Sequence, residues 1–334
     1  MQSRFSAILV VALIATFVIM GCEGKKGATG PQGPEGPSGT TDCVQCHSDD
    51  TRIVARQIQW ENSVHFTGGN FTRNTPPCSG CHTTEGFVAQ LATPGNPGTI
   101  ANPSPIGCFA CHAPHTNLNF DLRTQTAVTL MMGGTFDRGE GNLCANCHQA
   151  RVPSPPVPSA DTTLIITSSH WGIHDGPQAN ILSGNGAYQF GGTGYGNSYH
   201  TTGVTNGCPA CHMATPTYGA QAGGHTMSLT YGSGPTEFTT GCKVTGCHAT
   251  MPDFNKDGVQ DSTEALLMTL ENALIARGIL DADGGIIAPD TLTTLEAKAL
   301  VNYELFETDR SLGVHNTEYT FDALNATIAA LVGQ

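Results

Sequence analysis

Twelve of the thirteen cysteines fall into six pairs, and a histidine directly follows the second cysteine of every pair. Five pairs are spaced Cys-x-x-Cys-His: Cys43, Cys46 and His47; Cys78, Cys81 and His82; Cys108, Cys111 and His112; Cys144, Cys147 and His148; Cys208, Cys211 and His212. The sixth, Cys242, Cys247 and His248, has four residues between its cysteines. This repeat constrains the fold more than any hydrophobic pattern in the chain, because it demands six similar local turns within 206 residues, 43–248.

Cys-x-x-Cys-His is the attachment motif of c-type haem. Two thiols add to the two vinyl groups of the macrocycle, and the short loop brings the next residue beneath the iron, where a histidine is the proximal ligand. Zinc ribbons also pair cysteines, but do not require histidine after every second one. A thioredoxin-like Cys-x-x-Cys needs a βαβ context, which is absent from the pattern. A disulfide scaffold has no reason to repeat this local order. The longer sixth motif resembles an expanded variant known among multihaem cytochromes. Six haem c groups are therefore expected, attached through Cys43, Cys46, Cys78, Cys81, Cys108, Cys111, Cys144, Cys147, Cys208, Cys211, Cys242 and Cys247.

About 34 residues are available per motif, too few to enclose each haem separately. The expected fold is mainly α with extensive irregular loop, wrapped around a haem stack, with a helical C-terminal module. Composition agrees: 41 glycines, 20 prolines and only 12% charged residues leave few segments with the long apolar periodicity of a protein core. The net charge of −13 argues against nucleic acid as a partner.

Seven histidines lie outside the motifs: His65, His115, His170, His174, His200, His225 and His315. They suffice to close every iron with a second imidazole and leave one over. His65 stands in Trp60-x-x-Ser63-x-His65, which resembles a segment of many multihaem cytochromes, and His200 in a similar Ser198-x-His200. Gly223-Gly224-His225-Thr226 and His174-x-Gly176-Pro177-Gln178 resemble segments of the same group. Gly313-x-His315-Asn316-x-x-Tyr319 resembles a segment near the end of pentahaem nitrite reductases. His115 follows a motif closely, a position that often ligates a neighbouring haem. His170 has no such context. Expected iron ligands are thus His47, His82, His112, His148, His212 and His248, with His65, His115, His174, His200, His225 and His315. Met213 and Met251 lie near motifs as alternative ligands that would raise a potential.

The thirteenth cysteine, Cys22, ends a leader. Residues 1–21 carry Arg4, an apolar run over 7–20 and a small residue, Gly21, before it. This reads as a signal peptide with a lipobox, Cys22 being lipidated, and predicts an exported lipoprotein at the outer membrane or cell surface. Over 24–39 glycine recurs every third residue with interspersed proline. Residues 22–42 are read as an extended tether, with a collagen-like trimer as the alternative.

Residues 253–264 read Asp-Phe-Asn-Lys-Asp-Gly-Val-Gln-Asp-Ser-Thr-Glu. Asp253, Asn255, Asp257, Val259 (through its carbonyl), Asp261 and Glu264 match the ligand positions of an EF-hand loop, so one calcium ion is expected, with a helix-capping loop as the alternative. Apolar spacing predicts helices over 262–276, 292–305 and 321–332. The expected division is a haem domain at 43–250 and a helical tail at 251–334.

Together, residues 43–334 resemble the multihaem cytochrome c superfamily, which includes nitrite reductases and hydroxylamine-oxidising relatives. The resemblance implies electron transfer through closely packed haems to redox partner proteins or an extracellular acceptor, without a substrate of the chain's own. Every motif here ends in histidine, whereas the catalytic haem of pentahaem nitrite reductases carries lysine. The alternatives are a reductase of a nitrogen or sulfur oxyanion with one open haem, and a self-associating subunit of a cytochrome filament.

Overall fold

A computed structural model describes residues 51–117, 119–192, 194–216, 221–233, 236–244 and 246–333. Cys22, Cys43, Cys46 and His47, with the leader and the tether, lie outside the described residues. Ser48–Gln334 form one compact unit.

Up to residue 258 the elements are short, as a chain punctuated by glycine and proline every few residues requires. They are α1 (Thr51–Glu61), α2 (Val64–Thr67), α3 (Ser79–His82), α4 (Thr84–Ala92), α5 (Cys108–Cys111), α6 (Pro114–Asn117), α7 (Gly141–Ala145), α8 (Gln178–Ser183), α9 (Tyr199–Gly203) and α10 (Cys208–His212). Two-residue hairpins β1–β2 (Val128–Thr129, Thr135–Phe136) and β4–β5 (Thr230–Tyr231, Thr236–Glu237) interrupt them. Strand β3 (Thr163–Ile166) pairs antiparallel with the distant β6 (Asp290–Thr293), Leu164 opposite Leu292.

The tail holds three long helices, α11 (Val259–Ala276), α12 (Thr294–Asp309) and α13 (Thr317–Val332). Thr293 and Glu296 form a capping box at the start of α12: Thr293 Oγ1 accepts from Glu296 N (3.2 Å) and Glu296 Oε2 from Thr293 N (2.9 Å). Asn316 caps α13 through Tyr319 N (3.4 Å).

A side-chain core of substantial size exists, contrary to the expectation from composition. Leu267, Leu270, Leu274, Leu300, Leu305, Phe306 and Leu324 of the three helices pack with Leu164, Ile166, Trp171, Ile173 and Ile181 of the motif-bearing part. The sequence conceals its extent because five of its members, Leu164, Ile166, Trp171, Ile173 and Ile181, are isolated apolar residues that β3–β6 pairing helps bring against the tail. Asn302 is fully buried within it and fully used: its amide donates to Tyr188 O (2.9 Å) and Thr327 Oγ1 (2.8 Å), and its carbonyl accepts from Tyr188 N (2.7 Å). Among the described residues no helix is long and apolar enough to cross a membrane.

Candidate haem-binding site

Each described motif is a single tight turn. The histidine amide donates back to the carbonyl of the first cysteine: His82 to Cys78 (3.2 Å), His112 to Cys108 (2.8 Å), His148 to Cys144 (3.0 Å). The longer sixth motif closes the same bond, His248 N to Cys242 O at 3.1 Å. Two extra residues are thereby accommodated without moving the histidine away from the first cysteine. All ten described motif cysteines are free thiols.

Every described motif histidine faces a histidine from outside the motifs. The pairs and their ring-centroid separations are His148 with His65 (6.0 Å), His82 with His174 (6.1 Å), His112 with His225 (6.3 Å), His248 with His200 (6.0 Å) and His212 with His315 (6.2 Å). Two imidazoles on opposite sides of one metal, with each nitrogen about 2.0–2.1 Å from it and each ring centre about 1 Å further, have centres about 6 Å apart. The separations are too long for ring stacking by contact and fit one metal between each pair.

The ring nitrogens are oriented for this. His200 Nδ1 donates to Val314 O (2.6 Å), His212 Nδ1 to Met227 O (2.9 Å), His174 Nδ1 to Asp175 O (3.1 Å) and His148 Nδ1 to Gln178 Oε1 (3.2 Å). A carbonyl only accepts, so Nδ1 carries the proton and Nε2 is left as the bare, ligating nitrogen. His65 Nδ1 lies 3.0 Å from the Met227 thioether. Burial, helped by the neighbouring His148, lowers His65 to about 4, and burial with His112 lowers His225 to about 4. Burial likewise lowers His82, His148, His174, His212 and His248. Neutral imidazoles of this kind are what metal ligation needs. His315 differs: burial alone would depress it, but the charge and hydrogen bond of Asp309 outweigh burial and raise it.

The flanking segments now have physical reasons. Trp60 Nε1 donates to Ile106 O (2.8 Å), and Ser63 caps α2, so Trp60-x-x-Ser63-x-His65 pins the helix that presents His65. The segment 174–178 serves two pairs, His174 facing His82 and Gln178 holding His148. His174 has φ of 66°, a left-handed conformation uncommon outside glycine. The segment 313–316 also serves two: His315 faces His212, while Val314 O holds His200. Asn316 ties both together, since its amide reaches Asn197 Oδ1 (2.7 Å) and its carbonyl accepts from Ser198 N (2.9 Å). The turn 223–227 serves three, through His225, the Met227 thioether and the Met227 carbonyl. Gly223 in that turn has φ of 73°, and a Cβ there would meet Ala214 O at 2.5 Å and the Phe238 ring at 2.6 Å.

The motifs border one another. The thiols of Cys81 and Cys147 are close neighbours, as are those of Cys144 and Cys208. Cys111 shares an apolar cluster with Cys147, Leu143 and Ala110. Gly241 lets the sixth motif lie against the fifth, a Cβ there falling 2.9 Å from Cys211 Cα. The motif at 144–148 thus touches three others, those at 78–82, 108–112 and 208–212.

Large apolar side chains stand exposed beside the pairs: Val64 and Phe66 around His65, Phe109 inside the motif at 108–112, Tyr199 before His200 and Val244 inside the motif at 242–248. Isolated exposed apolar residues are ordinary, but these stand beside three of the five pairs, those of His65, His112 and His200, and give them an apolar wall suited to a flat, apolar macrocycle. The residues present therefore fit haem.

The remaining histidines outside the motifs are His115 and His170; His115 is exposed and lines an apolar cleft of about 560 Å³ with Val88, Ala89, Phe109 and Arg123. His170 is exposed. Met251 is buried.

The residues expected to bind calcium are arranged differently from a cation loop. Helix α11 begins at Val259, so 259–264 lie in its first two turns instead of curling around an ion. Asn255 Oδ1 accepts from Gln260 N (3.0 Å) and Asp261 N (3.2 Å), capping that helix, and Lys256 pairs with Asp257. Among the described residues no three His, Cys, Asp or Glu side chains converge as a metal cage would need.

No family model and no curated protein matches the chain. Among solved structures it is similar to the crystal structure of the outer cell wall cytochrome OcwA, with a TM-score of 0.53 and 21% identity over 83% of this chain. The match covers 50% of that chain, so the present chain spans about half its length. The likeness is one of fold, built mainly from helix and loop.

Proposed function

We propose that the chain carries six covalent c-type haems and relays electrons between them. The observation that carries this reading is the set of five motif histidines, each facing a second histidine at 6.0–6.3 Å. The cysteine pairs would hold the macrocycles, and each imidazole pair would ligate one iron. His47 and His115 are assigned to the sixth group, because His115 borders an apolar cleft beside the motif at 108–112. Bound haem supplies an iron that takes up and releases one electron. The chain's part is to hold the irons six-coordinate, which leaves no position for a substrate, and to bring the attachment sites together so that electrons pass between neighbours.

Cys22 is proposed as a lipidated anchor and 22–42 as its tether, placing the relay at the outer membrane or cell surface. There it would meet redox partner proteins or an extracellular acceptor. The cytochrome fold shared with a protein of the outer cell wall supports that setting.

The test is to produce the protein in a host that matures c-type cytochromes, then measure haem per chain, spectrum and ligand binding. Six haems, a fully low-spin spectrum and indifference to carbon monoxide and nitrite are expected. A high-spin component that binds either molecule would favour the reductase reading. Haem-free protein would overturn the relay altogether.

A further inference from the structure

The ten paired histidines differ in what their Nδ1 atoms touch. Met227 Sδ, Gln178 Oε1 and the carbonyls of Asp175, Val314 and Met227 are neutral acceptors. His112 Nδ1 is buried without a partner. Only His315, among the described residues, meets a carboxylate: Asp309 Oδ1 lies 2.7 Å from its Nδ1. Asp309 is 4% exposed, and its second oxygen accepts from the Ser311 hydroxyl. Ser311 Oγ in turn accepts from His315 N at 3.2 Å. The carboxylate is thus fixed at both oxygens and aimed at the ring.

We propose that Asp309 sets the centre closed by His212 and His315 to the lowest reduction potential of the five described. The inference rests on the haem reading above. A carboxylate on Nδ1 draws that proton and pushes electron density to Nε2, making the imidazole a stronger donor to the iron. A stronger donor favours the oxidised iron, which is more positive, and a buried negative charge close by favours it again. The opposite ligand adds in the same direction, because His212 Nδ1 donates to the Met227 carbonyl at 2.9 Å. No other pair has a charged acceptor. This motif borders both the 144–148 motif, through Cys208 and Cys144, and the 242–248 motif, through Cys211 and Gly241. Asp309 is therefore a positioning and tuning residue for an interior member of the relay.

The experiment is a spectroscopically followed redox titration of the haem-loaded full chain and three variants, with haem per chain measured in each. Asp309→Asn keeps an acceptor and removes the charge. It is expected to raise the lowest midpoint by at least a tenfold change in the oxidised-to-reduced ratio, about 59 mV for one electron, and to leave the other midpoints in place. Ser311→Ala removes a competing donor and should lower the same midpoint. Glu307→Gln removes an exposed carboxylate two residues away that does not touch His315, and should leave it unmoved. An unmoved lowest midpoint in Asp309→Asn, or an equal rise in Glu307→Gln, would overturn the inference while leaving the relay intact. If Asp309→Asn loses haem, Ser311→Ala decides: a downward shift supports the proposal and no shift overturns it. Haem-free wild-type protein would instead defeat the relay reading, and this inference with it.

Discussion

At the scale of single residues, the site depends on neutral imidazoles held by neutral acceptors, with one charged exception at His315. Small side chains set these orientations. Ser63 Oγ accepts from Phe66 N at 3.4 Å and donates to Trp60 O at 2.6 Å, so one hydroxyl both caps α2 and fixes the Trp60 carbonyl. Ser63→Ala is expected to cost about 1 kcal/mol, the usual loss for a helix N-cap, measured by denaturant unfolding. A second residue-scale effect lies away from the histidines. Burial raises Glu304 to about 8, with Glu307 and Asp175 adding to it and a hydrogen bond from Ile173 opposing it. Its Oε2 is buried without a partner. The folded protein therefore holds a proton there that the unfolded chain, at the ordinary value of 4.5, releases earlier. Stability on this account falls as pH rises from about 4.5 to about 8 and is flat beyond. Glu304→Gln should weaken that decline, which melting temperatures at the two ends of the range would reveal. An unchanged slope in the variant would refute the assignment.

Among elements, the turns matter more than the helices. The turn at 223–227 presents His225 to one motif and uses Met227 to hold the histidines of two further pairs. Gly223 is needed there on two counts, positive φ and the absence of space for a Cβ beside Ala214 and Phe238. Gly223→Ala is expected to destabilise by about 1–3 kcal/mol, the range for overpacking a tight site, and to disturb the spectrum of more than one haem. A variant with wild-type stability and spectrum would show that the turn is not a shared support. Much of this arrangement was legible beforehand. The segments around His65, His174, His200, His225 and His315 each stood out by their neighbours, and each of these histidines now faces a motif. Which motif each one faces was not legible. His65 lies 13 residues before Cys78, yet it faces His148. At 253–264 the spacing matches a cation loop, and the start of helix α11 at Val259, inside that spacing, was not legible.

For the described molecule as a whole, the helical tail and the segment 150–182 share one apolar core, while Cys111, Cys147 and Cys208 of the motifs pack in two smaller clusters. Leu300 is fully buried at its centre. Leu300→Ala is expected to cost about 2–5 kcal/mol. Because β3 pairs with β6 and Asn302 binds Tyr188, the loss should appear in a single transition that includes haem-environment changes. Separate unfolding of the tail, followed by circular dichroism and haem absorbance together, would contradict that coupling.

The sequence by itself determined the chemistry. Cysteine pairs followed by histidine define where the proposed macrocycles would attach and which residue would meet each first, because those relations are covalent or local. It also determined how many further histidines were available and which stood in distinctive segments. Only the tertiary structure decided how they pair, which acceptor each Nδ1 meets, and that Asp309 stands behind His315. Those relations join residues far apart in the chain, such as His65 with His148 and His200 with Val314. They are settled by the packing of loops against a core whose members at 164–181 have no periodic signature.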